Sequence, residues 1–134
     1  MPLVAIVTLL SLVIYFFTLM KVGRARGMYD IKAPAVTGHP AFERAYRVQL
    51  NTVEMLVMHL PALWLFAWFV SPLWAAPIGL VWIVGRILYA RGYYEDPVKR
   101  STGMIIAMLS TGVLLVGALI GSCIASYYLL RSGF

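Results

Sequence analysis

Residues 101–130 read STGMIIAMLSTGVLLVGALIGSCIASYYLL and contain no charged side chain. The run exceeds the roughly 20 apolar residues that an α-helix needs to cross the ~30 Å hydrocarbon core of a bilayer. Toward the N-terminus, residues 73–85 and 2–20 are also free of charge, and residues 48–70 contain a single charged residue, Glu54. The sequence therefore predicts an all-α fold, an integral membrane bundle of four helices.

The composition of the whole chain agrees with this prediction. Hydrophobic residues make up 62% of the 134 residues and charged residues 12%, about half the charged fraction of a soluble domain. Little sequence lies outside the apolar runs, so we expect a single domain over residues 1–134. Its helices are predicted near residues 2–23, 41–70, 76–94 and 99–130.

The basic residues predict how the chain sits in the membrane. Ten of the eleven Lys and Arg residues lie in or beside the first and third loops, and Arg131 is the exception. The positive-inside rule places these loops in the cytoplasm and both termini outside. The membrane would be the inner membrane of a bacterium or the endoplasmic reticulum of a eukaryote. Because orientation accounts for the net charge of +6, we expect no nucleic-acid partner.

The first apolar run is predicted to be a retained helix rather than a cleaved signal peptide. Its basic residues, Lys21, Arg24 and Arg26, follow the run, and none precedes it. A signal peptide has the opposite order. We expect Lys21, Arg24 and Arg44 to contact lipid head groups.

Helix 2 opens with polar side chains on one face. Arg44, Arg47, Asn51 and Glu54 follow one another at spacings of three, four and three residues, which places them on one side of an α-helix. A charged group near the bilayer centre costs about 2.5–3.5 kcal/mol, so Glu54 should face protein or water.

Helix 3 repeats the pattern. Arg86, Tyr89 and Tyr93 share a face, and Arg100 stands at the start of helix 4. Together with the polar face of helix 2, this set contains guanidinium groups, a carboxylate, an amide and phenols. Such groups suit a small peptide-like anion.

The pattern alone leaves a structural interpretation open. Arg47 can form a surface ion pair with Glu43, four residues away, and Glu54 can hold helices together. His39 and His59 lack the spacing of metal ligands, so we expect no metal site. His59 is predicted to pack within a helix and His39 to lie in a loop, and Cys123 is predicted to pack in an apolar environment.

Two motifs resemble the MAPEG family, the membrane-associated proteins of eicosanoid and glutathione metabolism. The first is FERAYRVQLNTVE at residues 42–54, similar to the family's helix 2 pattern E-R-x-x-R-x-Q-x-N-x-x-E. The second is GRILYARGY at residues 85–93, which is followed by Arg100. The chain length and the layout of four helices also fit the family.

The resemblance implies a homotrimer that binds glutathione as a co-substrate between subunits. The side chains implied to hold the tripeptide are Arg47, Asn51, Glu54, Arg86, Tyr89 and Tyr93. Arg26 and Gln49 match positions that reach glutathione from the adjacent subunit, and Arg100 matches the arginine that stabilises the thiolate. Met55 stands where a family member has a ligand-contacting tyrosine.

The function implied by the resemblance is that of a membrane glutathione transferase. The glutathione thiolate would attack apolar electrophiles that arrive through membrane lipid, as in detoxification, and reduction of lipid hydroperoxides is a further implied activity. One alternative is a non-catalytic lipid-binding membrane protein like the lipoxygenase-activating member of the family, which need not keep Arg100. A small four-helix transporter is disfavoured, because the first helix has no carboxylate.

Overall fold

The computed structural model describes residues 1–133, which form four long α-helices joined by short connections. These are α1 (Pro2–Tyr29), α2 (Pro40–Phe69), α3 (Pro72–Glu95) and α4 (Ser101–Arg131), with a 3₁₀ turn at Pro97–Arg100 between α3 and α4. All four helices are long and apolar enough to cross a membrane. The prediction of an all-α protein with four membrane spans is thereby confirmed.

The first helix is longer than predicted. It continues past Gly23 to Tyr29, where Asp30 ends it in the left-handed conformation (φ 53°, ψ 48°) with its N–H donating to the Arg26 carbonyl. The basic residues of this segment end the apolar run, but they do not interrupt backbone hydrogen bonding because arginine and lysine are good helix formers.

The third helix starts earlier than the predicted residue 76. The hydroxyl of Ser71 accepts a hydrogen bond from the Trp74 N–H at 3.4 Å, and Pro72 occupies the first turn. Proline is favourable there because the N–H that it lacks would have no helical partner. At the other connection, Lys99 lies in the 3₁₀ turn rather than in α4.

The larger hydrophobic core cluster contains fully buried apolar side chains from all four helices, among them Val4, Leu63, Trp82 and Leu114. His59 stacks on Trp82 with ring centroids 4.0 Å apart and planes 6° from parallel. The Ser11 hydroxyl lies 3.5 Å from the His59 Nε2. The prediction that His59 packs within a helix is confirmed.

One end of the bundle, here called the charged end, holds the end of α1, the start of α2, the end of α3 and the start of α4. Its helices are joined by polar contacts. The Arg44 Nε donates to the Tyr94 carbonyl at 3.2 Å, and the Lys21 Nζ lies 4.7 Å from the centroid of the Tyr94 ring. Arg44 is half-buried and its Nε ties α2 to α3, while its expected contact with lipid head groups stays a prediction.

Near the charged end, α3 and α4 approach to backbone contact at Gly85 and Gly103. A Cβ atom on Gly85 would lie 2.7 Å from the backbone nitrogen of Ala107, and one on Gly103 would overlap the backbone of Tyr89. Small residues allow membrane helices to approach this closely. The contact fixes Tyr89 and the first turn of α4 relative to each other.

We expect Gly103→Ala to lower the melting temperature of the detergent-solubilised protein by about 5 °C or more, since overpacking costs roughly 1–3 kcal/mol. Thermal unfolding followed by circular dichroism measures the change. Gly112→Ala is the matched control on α4, because a Cβ there meets nothing within 4 Å. Alanine should leave stability unchanged or raised at that position. Equal melting temperatures for the two variants would contradict the close helix contact.

Candidate functional site

A cavity of about 350 Å³ opens between α2, α3 and the start of α4, near the charged end. Its lining contains two guanidinium groups, a carboxylate, an amide and two phenols. The polar side chains that line it are Arg47, Asn51, Glu54, Tyr89, Tyr93 and Arg100. Leu50 and Met104 complete the wall. Six of the residues predicted to form a site therefore share one cavity.

Arg86 lies behind the cavity wall and is 1% exposed. Its Nη1 donates to the Asn51 Oδ1 at 2.9 Å, and its Nη2 donates to the Thr52 hydroxyl at 2.7 Å. The guanidinium carbon lies 4.1 Å from the centroid of the Tyr89 ring. Arg86 thus positions two of the side chains that line the cavity. Within residues 1–133 its Nε has no hydrogen-bond partner and no carboxylate forms an ion pair with it.

Thr52 lies outside the cavity lining but holds Arg86, a contact that the sequence did not indicate. Its hydroxyl donates to the Val48 carbonyl at 2.6 Å and accepts from Arg86 at 2.7 Å. A threonine that bonds to the preceding helical turn is ordinary in a membrane helix, so the sequence alone contains no signal for this second contact.

The arginine at the start of α4 stands beside two tyrosines. The Arg100 guanidinium carbon is 5.5 Å from the centroid of the Tyr93 ring, and the Tyr89 and Tyr93 rings lie 5.6 Å apart. Arg100 also occupies the N-cap position of α4, where the helix dipole adds partial positive charge. This corner of the cavity therefore favours an anion.

Arg47 and Glu54 are exposed on the open side of the cavity. The possible ion pair between Arg47 and Glu43 does not form. Among the residues that the structure describes, the one ion pair joins Lys99 to Glu95 at 2.7 Å. Two opposite charges at the cavity are consequently available for a ligand.

Besides Arg86, two further predicted residues, Arg26 and Gln49, do not line the cavity within one chain. The Arg26 Nη1 donates to the Ala35 carbonyl at 2.8 Å and holds the first loop. Gln49 is half-buried and, two positions from Arg47, projects from a different face of α2. Met55, at the position of the family tyrosine, is buried in the core and does not line the cavity either.

The sequence predictions also named two side chains away from the polar face of α2, His39 and Cys123. His39 caps α2, because its Nδ1 accepts from the Ala41 N–H at 3.1 Å. Cys123, which was expected to be packed, is exposed. Residues 1–133 bring no three His, Cys, Asp or Glu side chains into a group that could hold a metal ion.

Four helices that are long and apolar enough to span a membrane, with a polar cavity between three of them at one end, are the architecture of an integral membrane protein with a binding site near the membrane surface. A sequence model of the MAPEG family matches residues 4–120. The chain is 41% identical to human microsomal glutathione S-transferase 2 over 120 residues, which cover 90% of this chain and 80% of the human protein. It is 32% identical to bovine leukotriene C4 synthase over 119 residues, or 89% and 79% of the two chains.

A third relative is more similar still. An uncharacterised protein of Synechocystis is 48% identical over 116 residues, which cover 87% of this chain and 85% of that protein. The chain belongs to the MAPEG family, as its two motifs predicted.

Proposed function

We propose that the protein is a membrane glutathione transferase that joins the glutathione thiolate to apolar electrophiles. The observation that carries the proposal is the single cavity that the Arg47 and Arg100 guanidiniums line together with the Glu54 carboxylate. The names of two relatives, a glutathione S-transferase and leukotriene C4 synthase, support the same class of enzyme.

The chemistry of glutathione complements this cavity. The tripeptide carries two carboxylates, one ammonium group, two peptide groups and a thiol. Guanidinium groups bind carboxylates through charge-assisted hydrogen bonds, which assigns Arg47 to a carboxylate and Glu54 to the ammonium group. The Asn51 amide, held from behind by Arg86 at 2.9 Å, would bond to a peptide group, and the Tyr93 hydroxyl would add a further bond.

Arg100 would generate the nucleophile. A thiol with a pKa of about 8.5 is only a few per cent ionised at pH 7. Lowering that pKa by about two units requires about 2.7 kcal/mol of preferential stabilisation of the thiolate. A guanidinium at the edge of a membrane, reinforced by the start of α4, is suited to supply it.

Once the thiolate has formed, the remaining task of the protein is to position it next to the electrophile. The thiol proton passes to water, and the sulfur attacks the electrophilic carbon. An S–C bond forms as the bond to the leaving group breaks, and the leaving group departs with its electron pair. Apolar electrophiles would partition into the bilayer and reach the sulfur past Leu50 and Met104, which form the apolar part of the wall.

We propose assembly as a homotrimer, with glutathione between subunits and the charged end in the cytoplasm. Arg47, Glu54 and Arg100 are exposed in one chain, and charges in a membrane span need protein or water beside them. A neighbouring subunit would cover them and contribute Arg26 and Gln49. Native mass spectrometry should find three copies of the 14.9 kDa chain. A fully active monomer would exclude this arrangement.

The proposed activity is tested with purified protein in detergent or reconstituted in lipid. Calorimetry measures glutathione binding, and conjugation to an electrophilic aryl chloride measures transfer. Hydroperoxide reduction, in which two glutathiones supply two electrons and are oxidised to a disulfide, is assayed separately. We expect binding and conjugation. Absence of binding and of turnover with every electrophile and hydroperoxide would favour the non-catalytic lipid-binding alternative.

We expect Glu54→Gln to raise the KM for glutathione about tenfold with kcat changed by less than about twofold. The substitution removes one charge-assisted bond to the ammonium group, worth about 1.5 kcal/mol, but leaves the thiolate contact intact. Steady-state kinetics with varied glutathione measures both constants. Glu43→Gln, on the same helix but outside the cavity, is the control. An unchanged KM in Glu54→Gln would contradict the assigned role.

A further inference from the structure

A second and larger cavity, of about 760 Å³, lies between α1 and α3 and is called here the α1–α3 groove. It faces a different side of α3 from the candidate functional site. The α3 residues that line it share one face of the helix, because they are three or four positions apart: Ile87, Ala90, Arg91 and Tyr94. Tyr89 and Tyr93, which line the candidate site, project from another face of the helix. The groove is therefore a separate feature of the molecule.

The two helices present the same chemical gradient along the groove. On α1, Ile14 and Phe17 are followed by Lys21 and Arg24 toward the charged end. On α3, Ile87 is followed by Arg91 in the same direction. From Ile14 to Arg24 the helix rises about 15 Å, which is close to the depth of one hydrocarbon leaflet. A groove of that total length is therefore apolar at one end and basic at the other, where it carries three basic side chains.

The basic mouth of the groove is not neutralised by the protein. Lys21, Arg24 and Arg91 are exposed, and no carboxylate stands among the described residues that line the groove. The ion pair within residues 1–133, between Lys99 and Glu95, involves none of the three. These cations therefore call for an anion from outside the chain.

We propose that the α1–α3 groove binds one anionic phospholipid. Its acyl chain would lie along Ile14, Phe17 and Ile87, and its phosphate would meet Lys21, Arg24 and Arg91. Basic pockets between membrane helices bind anionic lipid head groups in this way. A neighbouring cavity of about 300 Å³ shares Lys21, Arg24 and Tyr94 with the groove and provides room for the head group. The proposal does not depend on glutathione turnover.

The test is native mass spectrometry of the full chain with phosphatidylglycerol or phosphatidylcholine of equal chain length. Wild-type protein should retain one phosphatidylglycerol at a concentration at least tenfold below that needed for phosphatidylcholine. Lys21→Gln with Arg24→Gln should remove that preference. Lys32→Gln with Arg131→Gln removes the same charge outside the groove and should bind as wild type does. Equal binding of the two lipids by wild-type protein would overturn the proposal.

Two further experiments distinguish a lipid site from a site for phosphate alone. They also show whether the result with the double variant reflects misfolding. Ala90→Leu fills the groove without changing charge and should weaken phosphatidylglycerol binding at least tenfold. Glycerol phosphate, which has the head-group charge without acyl chains, should not displace the lipid at equal concentration. Displacement by glycerol phosphate, or full binding by Ala90→Leu, would show that the groove does not hold an acyl chain.

Discussion

Replacing Arg100 with alanine is expected to lower kcat for glutathione conjugation at pH 6 by about tenfold. If the side chain holds the bound thiol about two pKa units below its ordinary value of about 8.5, its removal cuts the thiolate population at that pH by about 80-fold. The remaining thiolate is more basic and several-fold more nucleophilic, which offsets part of the loss. The loss of kcat is largest at pH values below the pKa of the thiol bound to the wild type. It disappears at pH values above the pKa of the thiol bound to the variant.

The pH dependence is therefore the decisive measurement. The midpoint of the kcat–pH profile should move upward by about two units in Arg100→Ala, and near pH 9.5 the variant should equal or exceed the wild type. Lys99→Gln, an exposed neighbour paired with Glu95 at 2.7 Å, should keep the wild-type midpoint. A uniform loss at every pH would show that Arg100 orients glutathione without stabilising the thiolate.

Replacing Arg86 with methionine is expected to weaken glutathione binding at least tenfold while the fold is retained. The guanidinium holds the Asn51 amide at 2.9 Å, and methionine leaves that amide free to turn. The same buried charge has no carboxylate partner within residues 1–133, so its burial costs stability. An apolar side chain of similar length removes that cost. The melting temperature should stay equal or rise.

Calorimetry and thermal unfolding of the same sample separate the two effects. Arg91→Met is the matched control, because it removes an exposed arginine from the other side of α3 and should bind glutathione as the wild type does. A large fall in the melting temperature of Arg86→Met would show instead that Arg86 is mainly structural. Unchanged affinity would remove it from the proposed site.

The four membrane-spanning helices can be recognised in the sequence because each is a long apolar run. Two helix boundaries, the end of α1 and the start of α3, cannot be placed in this way. The end of α1 was misplaced because the apolar run marks the membrane boundary, and backbone hydrogen bonding continues to Tyr29. The predicted start of α3 at residue 76 leaves Pro72 outside the helix. With Ser71 as the cap, that proline instead begins the helix.

The part of the candidate site that lies on a single helix could be predicted from the spacing of its residues. The positions of Arg47, Asn51 and Glu54 on one face of α2 require only the 3.6-residue period. The contact between Arg86 and Thr52 at 2.7 Å joins two helices and depends on their rotation and depth, which a sequence does not specify. For the same reason the α1–α3 groove was not predicted, although its basic residues were noted.

The bonds that Arg86 makes to Asn51 and Thr52 also bear on how the chain enters the bilayer during synthesis. The middle helices, α2 and α3, are less apolar than α1 and α4, and each carries polar groups that lipid cannot satisfy. The outer helices can partition one at a time. The bonds from Arg86 to Asn51 and Thr52 need both inner helices side by side, so they form only after α3 has followed α2 into the bilayer.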